Sequence, residues 1–353
     1  MTEMIMGTCR ATILWLMILV CAGAAQEIVK VEDGLWSTRD IMLAKQVAAP
    51  SRLTIKSSEN LSGKLTIIVA PIDSIMVAYT KQARTDSRSR AIDYIDLISV
   101  ELDMRPQGAE LELRAPNPAP WSKRAESGIV SAIITVPEDS EVEINATYHD
   151  VDATGPLKAL RVPSSLGRIE AREINGEVDI TTANRRVRLE QISGQVSAST
   201  SNAEMTLADI MCDDSQSRLR NEGGDIQIQR LTGDINIRNS YGRIEMTEFT
   251  PGSESSVIRN SSGAIVVDIA AMPVGQLVIT NRLEDIDITV PQDLSAFLSL
   301  SAGDGEITCK GLLYTPELVQ DDRLNVMTGT GEVDISASVR GKGNIRVQGA
   351  EEN

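Results

Sequence analysis

From Gly167 onward the chain alternates apolar and polar residues in units of nine: GRIEAREIN, GEVDITTAN, RRVRLEQIS, GQVSASTSN, AEMTLADIM. The third and fifth positions are apolar, as in Ile169 and Ala171, Val178 and Ile180, or Val187 and Leu189. Alternation with period two marks a strand with one face buried and the other exposed. Glycine opens most units, which predicts a turn that needs a positive φ.

Alternate units match each other, which reveals a longer period. Units of one kind, A, carry an apolar eighth residue: Ile174, Ile192, Ile210, Leu231, Phe249. Units of the other kind, B, carry a small one: Ala183, Ser201, Ser240, Ser261. A units start at Gly167, Arg185, Ala203, Gly224, Gly242, Gly263, Glu284, Gly305 and Gly331. B units start at Gly176, Gly194, Ser215, Gly233, Glu254, Gly275, Ala296, Asp322 and Gly343. The step from B to A is constant at nine residues. The step from A to B is nine or twelve, and seventeen between Gly305 and Asp322. One corner is therefore fixed and the other accepts insertions, as expected of an all-β solenoid with two short strands per coil of 18–21 residues. An antiparallel meander would also space its strands evenly, but gives no reason for alternate units to match. Nine such coils make a rod of roughly 43 Å. Asn221, Asn239, Asn260 and Asn281 share the seventh B position. They predict either a ladder of amides bonded to one another or turn residues in a left-handed conformation.

Upstream, the expected organisation is a β-rich capping region over residues 26–157, then the repeat domain over 158–353. Strands are expected near Arg52–Ile55, Lys64–Val69, Glu110–Arg114, Ile129–Val136 and Glu141–Ala146, with one short helix over Arg88–Leu97 turning Ile92, Ile95 and Tyr94 inward. Arg84, Arg88 and Arg90 form a basic run that reads as a solvated face. At the far end Arg340, Lys342, Arg346, Glu351 and Glu352 would discourage edge pairing.

Residues 1–25 read as a signal peptide. Arg10 precedes an apolar run from Ala11 to Val20, and Ala22 and Ala24 form an A-x-A cleavage pattern. Val20 before Cys21 departs from a lipoprotein box. No later segment is apolar enough to span a bilayer, so the mature chain is expected to be exported, whether periplasmic, cell-surface or secreted. Only 3% of residues are aromatic, so the core must be aliphatic. The net charge of −16 disfavours nucleic acid and anionic membranes and favours a soluble monomer.

The export signal, the Tyr79–Ala83 segment (YTKQA), the short helix, and the Ile134–Ser140 step into G-x-[IV]-x-[ILV] repeats resemble the bacterial putative-adhesin family. This is a domain-of-unknown-function group of exported cell-envelope proteins. The resemblance implies a β-rich envelope protein, an adhesin-like binding or structural module without established catalytic residues or cofactors, acting on an unknown envelope or surface ligand.

Four constellations remain. Asp285, Asp287, Glu306, Glu332 and Asp334 read as an acidic stripe on outward A positions, a candidate cation site. The Asp285/Asp287 pair also invites the alternative of a polysaccharide lyase or glycosidase on a β-helix. Leu312, Leu313 and Tyr314 lie in the long insertion, where partners of solenoids often bind. His149, the sole histidine, reads as an exposed turn residue. Cys212 and Cys309 fall five coils apart, about 24 Å, too far for a disulfide.

Overall fold

Ile169, Ala171, Val178, Ile180, Val187 and Leu189 have no exposed surface, so the alternating pattern does bury one face. Consecutive repeat strands do not pair with each other. Each pairs in parallel with the strand two places on, Val178 opposite Val196 and Val187 opposite Met205. Two long, mostly parallel sheets therefore face one another across an aliphatic interior. The protein is a β-solenoid with two strands to each coil. This computed structural model describes residues 27–47, 51–122, 125–212 and 215–350. The expected export signal and Glu351–Glu352 lie outside the described residues.

Among the described residues the coils, in spatial order, are 108–137, 52–70, 141–154, 159–172, 177–193, 196–211, 217–232, 235–250, 255–269, 276–290, 333–349 and 296–310. These twelve coils stack over roughly 53 Å at the interstrand spacing. No break in either sheet marks residues 157 and 158: coils upstream of that point follow the same plan.

The order is permuted at both ends. Coil 52–70 sits inside 108–137, and coil 333–349 is inserted between 276–290 and 296–310. Insertion pairs the last coil on both edges, where simple stacking would leave one edge open. The expected register fails here. The Gly331 unit lies in the B sheet, through Val333–Val339, and the Gly343 unit in the A sheet, through Ile345–Gly349. Arg340, Lys342 and Arg346 thus belong to an internal coil and not to an edge. Asp322 opens no coil either. Arg323–Met327 runs antiparallel to Ala296–Ala302 and forms a hairpin with Thr315–Gln320. The seventeen-residue step therefore holds the outer strand, Thr315–Gln320, of a hairpin whose inner strand covers the edge, and Pro316 and Glu317 on the outer strand oppose further pairing. A nine-residue periodicity alone cannot distinguish a strand added in parallel from one added antiparallel.

At the opposite end the antiparallel strand Ser74–Arg84 covers Ser127–Pro137 of the outer coil, and Ser99–Arg105 covers Gly108–Arg114. Helix Arg88–Asp96 packs on this cap, burying Ala91, Tyr94 and Ile95. Ile92 is turned out, because 91, 94 and 95 define the buried face at helical spacing. Tyr94 meets Trp121 edge to face at 5.3 Å.

Five consecutive A units contain a residue in the left-handed region: Glu173, Gln191, Asp209, Arg230 and Glu248, with φ of 54–59°. This kink reverses the in–out alternation. The next residue (Ile174, Ile192, Ile210, Leu231, Phe249) therefore points inward and is buried, which explains the apolar eighth position. The glycines that open units divide into two kinds. Gly194 does adopt a positive φ of 145°. Gly176 does not; a Cβ there would lie 1.9 Å from the Lys158 carbonyl oxygen of the coil beneath.

The four asparagines are aligned and buried, but neither expected arrangement is present. None has a positive φ, and their amides donate to main-chain carbonyls. Asn260 Nδ2 donates to Gly242 O at 2.7 Å and Gly263 O at 2.9 Å, and Asn239 Nδ2 to Gly224 O and Gly242 O at 3.0 Å. Each amide ties two coils together at the tight corner.

Two stability measurements follow from these columns. Asn260→Ala removes two amide hydrogen bonds, leaving Gly242 O and Gly263 O with only the amides of Asn239 and Asn281, and should cost about 1–3 kcal/mol in denaturant titration. Gln191→Val places a β-branched residue at a left-handed φ and should cost about 1–2 kcal/mol, whereas the same change at the exposed strand residue Gln227 should be near neutral. Equal effects at 191 and 227 would contradict the kink.

Candidate functional site

B strands present their second, fourth and sixth residues outward, and the sixth is arginine in three successive coils: Arg220, Arg238 and Arg259. Parallel register places Arg220 beside Arg238 and Arg238 beside Arg259. Two residues further along, at the corner, Arg282 and Arg340 come from the next two coils in the stack. The five guanidinium groups line an open groove of about 510 Å³, whose lining also includes Ser240, Ser261 and the asparagine column. Across five coils the groove runs about 19 Å.

Elsewhere on the rod cations stand beside carboxylates. Arg52 pairs with Glu143, Lys158 with Glu141, Arg161 with Glu177, Arg172 with Glu190 and Arg186 with Glu204, at 2.6–3.1 Å. Asp209 is held below the usual carboxylate range by its hydrogen bond from Arg230 of the adjacent coil. In the groove Arg220 approaches Glu222 at 3.6 Å. The guanidinium groups of Arg238, Arg259, Arg282 and Arg340 make no ion pair or hydrogen bond among the described residues. Like charges on neighbouring strands repel, so this row raises the energy of the free protein and favours binding of an anion. Its sequence signal, arginine at one outward position in three successive units, was legible. The contribution of Arg340 was not, because only the inserted last coil brings it there.

The expected acidic stripe is divided by that same insertion. Arg346 lies between the strand of Asp285 and Asp287 and that of Glu306. It pairs with both aspartates, at 2.7 Å to Asp287. The Asn344 backbone N–H, followed by Arg346, holds the Asp285 carboxyl below its ordinary range. Glu332 and Asp334 lie on the other sheet. Among the described residues no three acidic, histidine or cysteine side chains converge as a metal site would require.

A family model described as Toastrack DUF4097 matches residues 100–348. The chain belongs to this family. The expected membership in a domain-of-unknown-function group is thus borne out, as is the all-β solenoid. A search of curated proteins finds no match. Among solved structures, a chain described as a putative cell adhesion protein from Clostridium sporogenes ATCC 15579 is 9% identical. The alignment covers 88% of this chain and 100% of that one, with a TM-score of 0.21.

The remaining candidates lie elsewhere on the Toastrack rod. Leu312 packs partly against the core, Leu313 is 93% exposed, and Tyr314 leads into the edge-covering hairpin. No disulfide links Cys212 and Cys309. The inserted coil places Cys212 and Cys309 six coil steps apart, about 29 Å, not five. Cys212 Sγ sits 3.0 Å from Ser217 Oγ.

His149 is fully buried, contrary to the expected turn position. Its strand lies between 61–70 and 169–172, stacking it over Gly63. Neither ring nitrogen reaches a hydrogen-bond partner. Desolvation pushes its pKa down to about 4, with the Val130 backbone and Asp150 opposing only in part. The folded state therefore holds a neutral imidazole, while the unfolded chain takes up a proton near pH 6.5. Stability should be full above about pH 6.5 and fall as pH drops towards 4, by about 3 kcal/mol from this group. Denaturant titrations of the native chain and of His149→Phe at pH 7 and 4.5 measure it. The substitution should flatten the slope, and an unchanged slope would show that other groups cause it.

Proposed function

We propose that this chain is exported and acts in the cell envelope as a non-enzymatic, adhesin-like binding module. The row of arginines, in which only Arg220 stands beside a carboxylate among the described residues, carries this reading, since it is a surface suited to a partner that the fold does not supply. The leader-like pattern of residues 1–25 supports export, and membership of the Toastrack family is consistent with it. Among the described residues no helix is long and apolar enough to cross a membrane. Antiparallel strands covering three of the four outer coil edges, with only the short strand Ile307–Lys310 left open among the described residues, support a monomer over a filament.

The alternative, glycoside chemistry at Asp285 and Asp287, has less support. A general acid there would need a raised pKa, whereas Asp285 is held low and both carboxylates share one guanidinium.

Expression from its own start codon in a bacterial host, followed by fractionation and mass spectrometry, tests the reading. The chain should reach the envelope or medium with its N-terminus shortened near residue 25. A full-length chain retained in the cytoplasm would overturn it.

A further inference from the structure

We propose that the arginine groove binds a linear acidic polysaccharide, a glycan carrying a carboxylate on successive sugars, laid along the rod axis. The inference rests on the binding-module reading and names the ligand class for the same surface.

Three features of the groove favour this class. First, its cations repeat. Arg220, Arg238 and Arg259 stand on adjacent parallel strands, about 4.8 Å apart, and Arg282 and Arg340 continue the line along the corner. A regularly spaced row suits a polymer with regularly spaced anions, and each planar guanidinium can grip a carboxylate through two parallel hydrogen bonds. A compact anion such as a single phosphate would engage one or two of the five.

Second, the lining is hydroxyl-rich between the charges. Ser240, Ser261 and Thr280 face the same groove and can exchange hydrogen bonds with sugar hydroxyls. Polyphosphate presents no hydroxyl donors along its length to use them. Single-stranded nucleic acid is held in basic grooves by stacking its bases on aromatic rings, and no ring lines this groove. Tyr241, 74% exposed, follows Ser240 in the chain but lies outside the lining.

Third, the groove is preorganised. Its floor is the buried asparagine column, whose amides are committed to carbonyls of neighbouring coils. Little backbone ordering remains to be done on binding, which lowers the cost of association. Each contact is exposed and individually weak, so affinity depends on several sugars binding together and should weaken with salt.

The test uses the purified full-length chain, with isothermal titration calorimetry against polygalacturonate at low ionic strength. Methyl-esterified polygalacturonate, polyphosphate and oligo-dT of similar length are the comparators. Polygalacturonate should bind, its affinity should fall with added salt, and esterification should abolish binding. Arg238→Gln with Arg259→Gln should weaken binding about tenfold, while Arg323→Gln, outside the groove, should leave it unchanged. Thermal melting confirms that each variant is folded. Absent binding, equal binding of the esterified polymer, tighter binding of polyphosphate or oligo-dT, or an unaffected double variant would each overturn the proposal. Export is read independently by fractionation, so loss of the envelope reading and loss of the ligand class give different results.

Discussion

Every column of side chains in this protein exists because parallel strands stack in register at one spacing. A residue at a given position of a unit is placed beside its equivalents above and below, about 4.8 Å away. Whatever that position contributes is multiplied. Apolar third and fifth residues become a continuous aliphatic core, asparagines become a line of amide donors to main-chain carbonyls, and arginines become a row of positive charge. The same closeness restricts what is allowed. At Gly176 the coil beneath leaves no room for a Cβ, and like charges can share a row only where solvent or a partner offsets them.

Stacking also creates two ends that would go on pairing, and the chain closes them by the same kind of arrangement. At each end the outermost coil is not the terminal one in sequence. Coil 52–70 is overlaid by 108–137, and coil 333–349 is clamped inside 296–310. The outer coils are then covered mostly by antiparallel strands: Ser74–Arg84 and Ser99–Arg105 at one end, Arg323–Met327 at the other. The A-sheet strand left outermost beside the inserted coil, Ile307–Lys310, is only four residues long and ends on a lysine, which limits the template it offers.

The insertion of 333–349 links fold to surface chemistry. It brings Arg346 between two acidic strands and so neutralises what would have been a stripe of like charge. On the opposite sheet it adds Arg340 to a row in which only Arg220, beside Glu222, has an acidic partner among the described residues. One rearrangement of strand order therefore removes an acidic feature and lengthens a basic one. This matters in a chain whose net charge is −16, because the groove's field is local and is felt only at short range.

Period-two alternation, paired in a period of 18–21 residues, was sufficient to identify the strands, their inward residues and a two-strand solenoid. These properties depend on neighbours in sequence and on repetition, both visible in a string of letters. The apolar eighth residue of A units was visible too, but its cause, a left-handed kink at Gln191 and its equivalents, is a backbone property. Strand order at the ends was not legible, because the Gly331 and Gly343 units carry the same pattern whichever sheet they join. That choice depends on how the last coils and the covering hairpin stack together, a property of the whole structure. His149 shows the same limit: next to Asp150 it reads as a polar turn, and only its place above Gly63 in the stack takes it out of water. The three arginines at 220, 238 and 259 were present in the repeat from the start. Tertiary structure alone decided that Arg282 and Arg340 extend them, because only the folded stack brings residues from distant coils to one corner.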